Sequence, residues 1–162
     1  MLLDKILEIA KTKKVYVFFD MDGVLVEYPL DREKRRYQHG TNFYTNNRPI
    51  SYTLNVAKKL SKENNVEVGI ISNCPLAEQI EQKKSWLKRY APFVKEENIN
   101  IICYENIDFN PATKNELKAY LLKEKKKFGD YCNLIEDDLC NIISINNYFD
   151  DEVAFHVSNI IK

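Results

Sequence analysis

An α/β domain built on a mainly parallel, five-stranded sheet is predicted by three features of the sequence. Apolar runs of strand length alternate with segments of helical period, helices separate successive strands, and acidic or hydroxyl residues recur just beyond the ends of those runs. Strands joined through helices imply right-handed βαβ crossovers, which bring the strand ends to one edge of the sheet. The helical spacing of Leu2, Leu3, Ile6, Leu7, Ile9 and Ala10 predicts an amphipathic helix ahead of the first strand, Val15 to Phe19. Ser51 is a candidate cap for a helix carrying Leu54, Val56, Ala57 and Leu60, and Val66 to Ile71 reads as the second strand. Pro75 fits the first turn of a helix reaching about Arg89, with Ile80, Trp86, Leu87 and Tyr90 on its buried side. Ile99 to Tyr104 is a third strand. Thr113 opens a helix with Leu117, Tyr120, Leu121 and Leu122, ended near Gly129. Tyr131 to Ile135 and Val153 to Val157 complete the sheet.

The 162 residues amount to one domain, long enough to bury a core. Lysine plus arginine equals aspartate plus glutamate at 24 each, so no global field attracts nucleic acid or an anionic membrane. The charged runs Arg32 to Arg36 and Lys123 to Lys127 read as solvated faces. No apolar stretch approaches a membrane span, and residues 1–14 lack a signal-peptide core. Cys74, Cys103, Cys132 and Cys140 show no CxxC spacing, which favours reduced, structural thiols and a cytoplasmic protein.

The strand ends carry the chemistry. Asp20 and Asp22 follow the first strand, where the chain leaves the sheet, and Gly23 supplies the backbone freedom of a tight turn. Open α/β sheets bind ligands in the crevice outside the carboxyl ends of their strands. Two carboxylates held that close repel unless a cation or a shared proton offsets them. Ser72 and Asn73 follow the second strand, Lys114 opens the helix after the third, and Glu136, Asp137 and Asp138 follow the fourth. Together they supply carboxylates for a hard cation, a hydroxyl and N–H groups for phosphate oxygens, and a lysine to offset negative charge. That is equipment for phosphoryl transfer through an aspartyl-phosphate. Each residue also has a plainer reading. Asp-x-Asp-Gly suits an ordinary turn, Ser72 and Asn73 can cap a helix, and a lysine at a helix start is commonly solvated. His39 and His156 are isolated and read as neither catalyst nor ligand.

The ordered set Asp20-Met21-Asp22-Gly23-Val24, Ile71-Ser72-Asn73, Lys114 and Glu136-Asp137-Asp138 resembles the signature of the haloacid dehalogenase (HAD) superfamily. The resemblance covers about Val15 to Val157. Within that superfamily, Phe19 to Leu25, Phe109-Asn110-Pro111-Ala112-Thr113-Lys114 and Leu134-Ile135-Glu136-Asp137 are most similar to the 5'(3')-deoxyribonucleotidase group. It implies a three-layer, Rossmann-like fold in a single domain, 1–162, with a small cap insertion at 24–50. It also implies a Mg²⁺-dependent phosphatase. Asp20 would attack phosphorus, and Asp22 would protonate the leaving oxygen and then activate water. Ser72, Asn73 and Lys114 would hold phosphate oxygens. The metal would sit on the Asp20 carboxylate, the Asp22 backbone carbonyl, and Glu136 with Asp137.

The fourth motif departs from the commoner pattern, since Glu136 stands where relatives usually carry the first Asp. Glutamate reaches one methylene further, and Mg²⁺ tolerates octahedral error poorly, so Glu136 either ligates directly or acts through water while Asp137 takes the inner position. Asp138 is expected to be solvated at the next helix start. In the short cap, Phe43, Tyr44 and Arg48 are the candidate specificity residues: aromatics to stack a base, an arginine to meet a phosphate. The expected substrate is a small phosphorylated metabolite, first of all a nucleoside monophosphate. A sugar phosphate, or phosphate binding without vigorous catalysis, is the alternative.

Overall fold

The computed structural model describes residues 1–28, 44–105, 111–126 and 130–161. Most of the expected cap insertion, with Phe43 and His39, lies outside these residues, as do Phe109, Asn110 and Gly129. The order is α1 (Leu2–Ala10), β1 (Val15–Phe19), a 3₁₀ turn (Tyr44–Asn46), α2 (Ser51–Leu60), β2 (Val66–Cys74), α3 (Glu78–Tyr90), a second 3₁₀ turn (Glu96–Asn98) and β3 (Ile99–Cys103). Next come α4 (Pro111–Lys126), β4 (Tyr131–Glu136), α5 (Leu139–Asn146), β5 (Ala154–His156) and a final 3₁₀ turn (Val157–Ile160).

The five strands form one sheet in the order β3-β2-β1-β4-β5, and every pairing is parallel. The fold is a Rossmann-like, three-layer α/β domain, as the strand–helix alternation predicts. Alternation along the strands sends Val15, Val17, Phe19, Val68, Ile70 and Ile135 into a core shared with α1, α2 and α3. Phe18, Ile71, Cys132, Leu134 and Ala154 enter a second core under α4 and α5. Both faces are covered, which is why the strands read as continuous apolar runs. β1 pairs with β2 on one side and β4 on the other. The chain builds outward from β1 to β3 and then crosses back to β4, so the strand order reverses between β1 and β4. That reversal is where sheets of this kind open a ligand crevice.

The structure corrects several boundaries. Ser51 is the first helical residue of α2 and caps nothing; Ile50 occupies the cap position. Thr53 instead ties α2 to the loop after β1, its hydroxyl donating to the carbonyls of Val24 and Ile50. Pro75 lies ahead of α3, because Ser72, Asn73 and Cys74 continue β2 by pairing with Ile101, Ile102 and Cys103. In α4, Tyr120 is exposed while Asn115, Lys118, Ala119 and Leu122 form the buried stripe. Asp138 is the N-cap of α5, its Oδ1 accepting from the N–H groups of Cys140 and Asn141. The four cysteines are free thiols. Burial and the neighbouring Cys103 push the Cys74 thiol up to about 12, so at neutral pH it packs as an apolar group. Among the described residues no helix is long and apolar enough to cross a membrane.

Candidate active site and metal centre

The loop after β1 is rigid because its apolar residues are anchored. Met21, Val24, Leu25 and Val26 are buried, and the Met21 carbonyl accepts from the N–H groups of Val24, Leu25 and Val26 at 3.2, 2.8 and 2.9 Å. Asp20 N–H still donates to the Ile135 carbonyl at 2.9 Å, so β1–β4 pairing fixes Asp20 before the chain turns. Gly23 adopts φ +74°, a left-handed conformation that L side chains rarely take. A Cβ at that position would stand 2.0 Å from Asp137 Oδ2. Glycine is therefore required twice, by the turn and by the carboxylate lying against it.

Asp20, at the end of β1, and Glu136, the last residue of β4, are buried side by side with Lys118 of α4 between them. Lys118 Nζ donates to Asp20 Oδ2 at 2.8 Å and to Glu136 Oε2 at 2.7 Å. Burial alone would raise Asp20. The Lys118 and Lys83 charges, with hydrogen bonds from Lys118 and Ser72, override it and hold the carboxyl well below the usual range. Glu136 is pushed the other way, up to about 8, first by burial and then by the Asp20 charge, which Lys118 only partly offsets. Burial disfavours the Lys118 ammonium, yet Asp20 and Glu136 together keep it above its ordinary value. Asp137, at the exposed rim, is raised by desolvation of its carboxyl against this wall and further by Asp20.

Oxygens of Asp20, Glu136 and Asp137 lie within 4.8 Å of one another, so this group can hold a metal ion. Three carboxylates less one ammonium leave two negative charges when all are ionised. An all-oxygen set with that balance, in a cradle that a side chain at Gly23 would fill, fits a hard divalent cation. Without a cation, the proton held on Glu136 relieves the same repulsion.

A second buried lysine serves Asp22. Lys83 of α3 donates to Asp22 Oδ2 at 2.7 Å and to Ser72 Oγ at 2.8 Å. The Tyr44 hydroxyl donates to the same Asp22 Oδ2 at 3.1 Å, and the Lys83 ammonium lies 4.7 Å from the Tyr44 ring centroid. Burial and then the Asp22 charge raise the Tyr44 phenol far above its usual value, so it stays a neutral donor. Asp22 Oδ1 is buried without a hydrogen-bond partner among the described residues.

The residues singled out in the sequence fall into three groups. Asp20, Asp22, Glu136 and Asp137 converge on a cavity of about 910 Å³, which Asn73, Tyr44 and Lys114 also line, while Ser72 lies buried behind Asp20 and Lys83. The Asp22 side chain stands apart from the three-acid cluster, turned to Lys83 and Tyr44. Arg48 is exposed, and its backbone carbonyl accepts from Glu27 N–H at 2.9 Å. Phe43 falls outside the described residues.

Two lysines that pair with the site's carboxylates escape a reading of the sequence alone. Lys118, one turn beyond Lys114 on the same helix face, is the one that reaches the acids, while Lys114 sits half-buried at the cavity. Lys83 belongs to the buried stripe Gln79, Lys83, Trp86 and Leu87. A lysine on an otherwise core-facing stripe is the available signal in both helices. No protein-family model matches the chain, and no curated protein matches it.

Proposed function

We propose that the protein is a Mg²⁺-dependent phosphomonoester hydrolase that works through an aspartyl-phosphate on Asp20, with nucleoside monophosphates as substrates. The observation that carries the proposal is Asp20 itself: a buried carboxylate, kept ionised by two lysines, at a strand end facing an open cavity. A nucleophile in that state needs no base to activate it.

Bound at Asp20, Glu136 and Asp137, Mg²⁺ would offset negative charge on the phosphoryl oxygens. The remaining work belongs to the chain's own side chains. Lys118 holds the charge of Asp20 in check, so that an anionic nucleophile can approach an anionic phosphoester. Ser72, fully buried, hydrogen-bonds Asp20 and Lys83 and so steadies both, and Asn73 lines the cavity where phosphoryl oxygens would enter. Lys114, with no ion pair to a described carboxylate, meets the incoming charge from the helix face above. Asp22, two residues from the nucleophile, supplies a proton to the leaving oxygen and then takes one from water.

Preference for a nucleoside rests on Tyr28 and Tyr104, which line the cavity on the Asp22 side and can flank a planar base. The family resemblance of the motifs points the same way. Hydrolysis of p-nitrophenyl phosphate with and without Mg²⁺, wild type beside Asp20→Asn, tests the reaction class. Turnover that requires the metal and vanishes in the variant supports it, and no turnover in either protein overturns it. A panel of nucleoside monophosphates against sugar phosphates then tests the substrate class.

A further inference from the structure

We infer that Cys74 and Cys103 are a peroxide-sensitive thiol pair that closes to a reversible disulfide at the wall of the cavity. Strand register carries the argument. β2 and β3 are parallel neighbours in which Ile70 stands opposite Ile99, Ser72 opposite Ile101 and Cys74 opposite Cys103. Ile70 and Ile99 both face the core shared with α1, α2 and α3. Alternation puts Cys74 and Cys103, each four residues further on, on that same face. The two side chains meet there, and the Cys74 thiol hydrogen-bonds Cys103. Register partners on adjacent strands lie about 4.8 Å apart, inside the Cα separation of about 4.4–6.8 Å that a disulfide spans. Side-chain rotation and a slight closing of the strand ends are enough to join the sulfurs.

The two members differ in access, which divides their roles. β3 is an outer strand of the sheet, and Cys103, its last residue, is half-buried, so a small oxidant reaches it. Cys74 is wholly buried, and that burial, with Cys103 beside it, keeps it a thiol. Cys103 is therefore the sulfur that meets the oxidant, and Cys74 the one that resolves it. Cys132 stands opposite Tyr16 in the other core, and Cys140 is exposed on α5, so both serve as internal controls. The pair adjoins the cavity. Asn73 and Pro75, which flank Cys74, and Tyr104, which follows Cys103, all line it. Tyr104 N–H donates to the Cys74 carbonyl at 3.2 Å. A bond between the sulfurs fastens β2 to β3 at this point and braces the wall that carries Tyr104.

The chemistry balances with hydrogen peroxide as the oxidant. The Cys103 thiolate attacks one peroxide oxygen; a sulfur–oxygen bond forms, the oxygen–oxygen bond breaks, and the departing hydroxide takes a proton to leave as water. Cys103 is now a sulfenic acid. The Cys74 sulfur attacks the Cys103 sulfur, the sulfur–oxygen bond breaks, and the released hydroxide takes the Cys74 proton as a second water. Two thiols have been oxidised to one disulfide and one peroxide reduced to two waters. An external dithiol reverses the step by attacking the more exposed sulfur, that of Cys103.

The test uses the whole folded chain. It is treated with hydrogen peroxide, quenched in acid, alkylated with N-ethylmaleimide in denaturant, digested and read by mass spectrometry without reductant. The expected product is a peptide pair joined through Cys74 and Cys103, lighter by two hydrogens than its separate halves and lost on treatment with dithiothreitol, while Cys132 is recovered alkylated. In Cys74→Ser the sulfenic acid on Cys103 has no resolving thiol, so dimedone is expected to trap it there and to trap little in wild type. Recovery of both cysteines alkylated overturns the inference. So does Cys103 driven to sulfinic acid beside an alkylated Cys74, or a link that runs instead to Cys132 or Cys140. The readout is covalent mass, so the inference stands or falls independently of the phosphatase reading.

Discussion

Two lysines with no exposed side-chain surface reach the carboxyl edge of the sheet from opposite layers, and they meet different company. Lys118, from α4, stands between Asp20 and Glu136, whose side chains are 10 % and 1 % exposed. Lys83, from α3, meets one carboxylate, Asp22, 23 % exposed, together with the Ser72 hydroxyl and the Tyr44 ring. One device therefore performs two tasks. Lys118 balances charge where the candidate nucleophile and metal ligands crowd together. Lys83 fixes the position of Asp22 and Ser72.

The contrast can be broken most severely at its centre. Asp20→Asn removes the proposed nucleophile and is expected to lower p-nitrophenyl phosphate turnover by about 10³-fold or more, measured with enzyme in excess over any contaminant. Next comes stability. Lys118→Met leaves two buried carboxylates facing each other, at an expected cost of about 3–5 kcal/mol in urea unfolding. Lys83→Met strands only a partly solvated carboxylate, for which about 1–3 kcal/mol is expected. The reverse order would mean that the Lys83 cluster, not the Lys118 cluster, is the tighter charge balance.

Proton linkage sharpens the same comparison. Glu136 is raised to about 8, so folded metal-free protein keeps a proton that the unfolded chain has already lost. Its contribution to stability is present below the ordinary carboxylate range and is lost as pH rises through about 8. Asp20, lowered in the folded state, contributes in the opposite sense, and its share is lost only in strong acid. Metal-free protein is therefore expected to melt at lower temperature as pH is raised from about 6.5 to about 9. Mg²⁺ must displace the Glu136 proton, so the rise in melting temperature it produces should be larger at the alkaline end; a thermal-shift series with and without Mg²⁺ reads both. Smallest of all, Lys114→Ala is expected to change stability by less than about 0.5 kcal/mol and to act on KM rather than on the fold.

Much of this arrangement was legible in the sequence because it lies at strand ends. Val15 to Phe19 is a buried strand whichever way its side chains point, and the residues just beyond it must emerge at the edge; Asp20, Ser72 and Glu136 could be placed by that logic alone. The lysines were harder. Lys118 and Lys83 occupy helix stripes whose other members are Leu122, Ala119, Trp86 and Leu87, and apolar periodicity passes over a cation in such a stripe. Tyr120, apolar in pattern, took the place that belonged to Lys118 and is exposed. Tyr44 was legible as a residue near the site but not as a partner of Asp22. That pairing spans 22 residues and depends on how the 3₁₀ turn docks on Gln82 and Trp86.

The most direct test of the central claim is to trap the covalent intermediate. Protein turning over p-nitrophenyl phosphate with Mg²⁺ is quenched and treated with borohydride, which reduces an aspartyl-phosphate to homoserine, and peptide mass spectrometry locates the change. Homoserine at position 20, dependent on Mg²⁺ and on substrate, is the expected result. Turnover with Asp20 unreduced, or reduction at another carboxylate, would contradict the account.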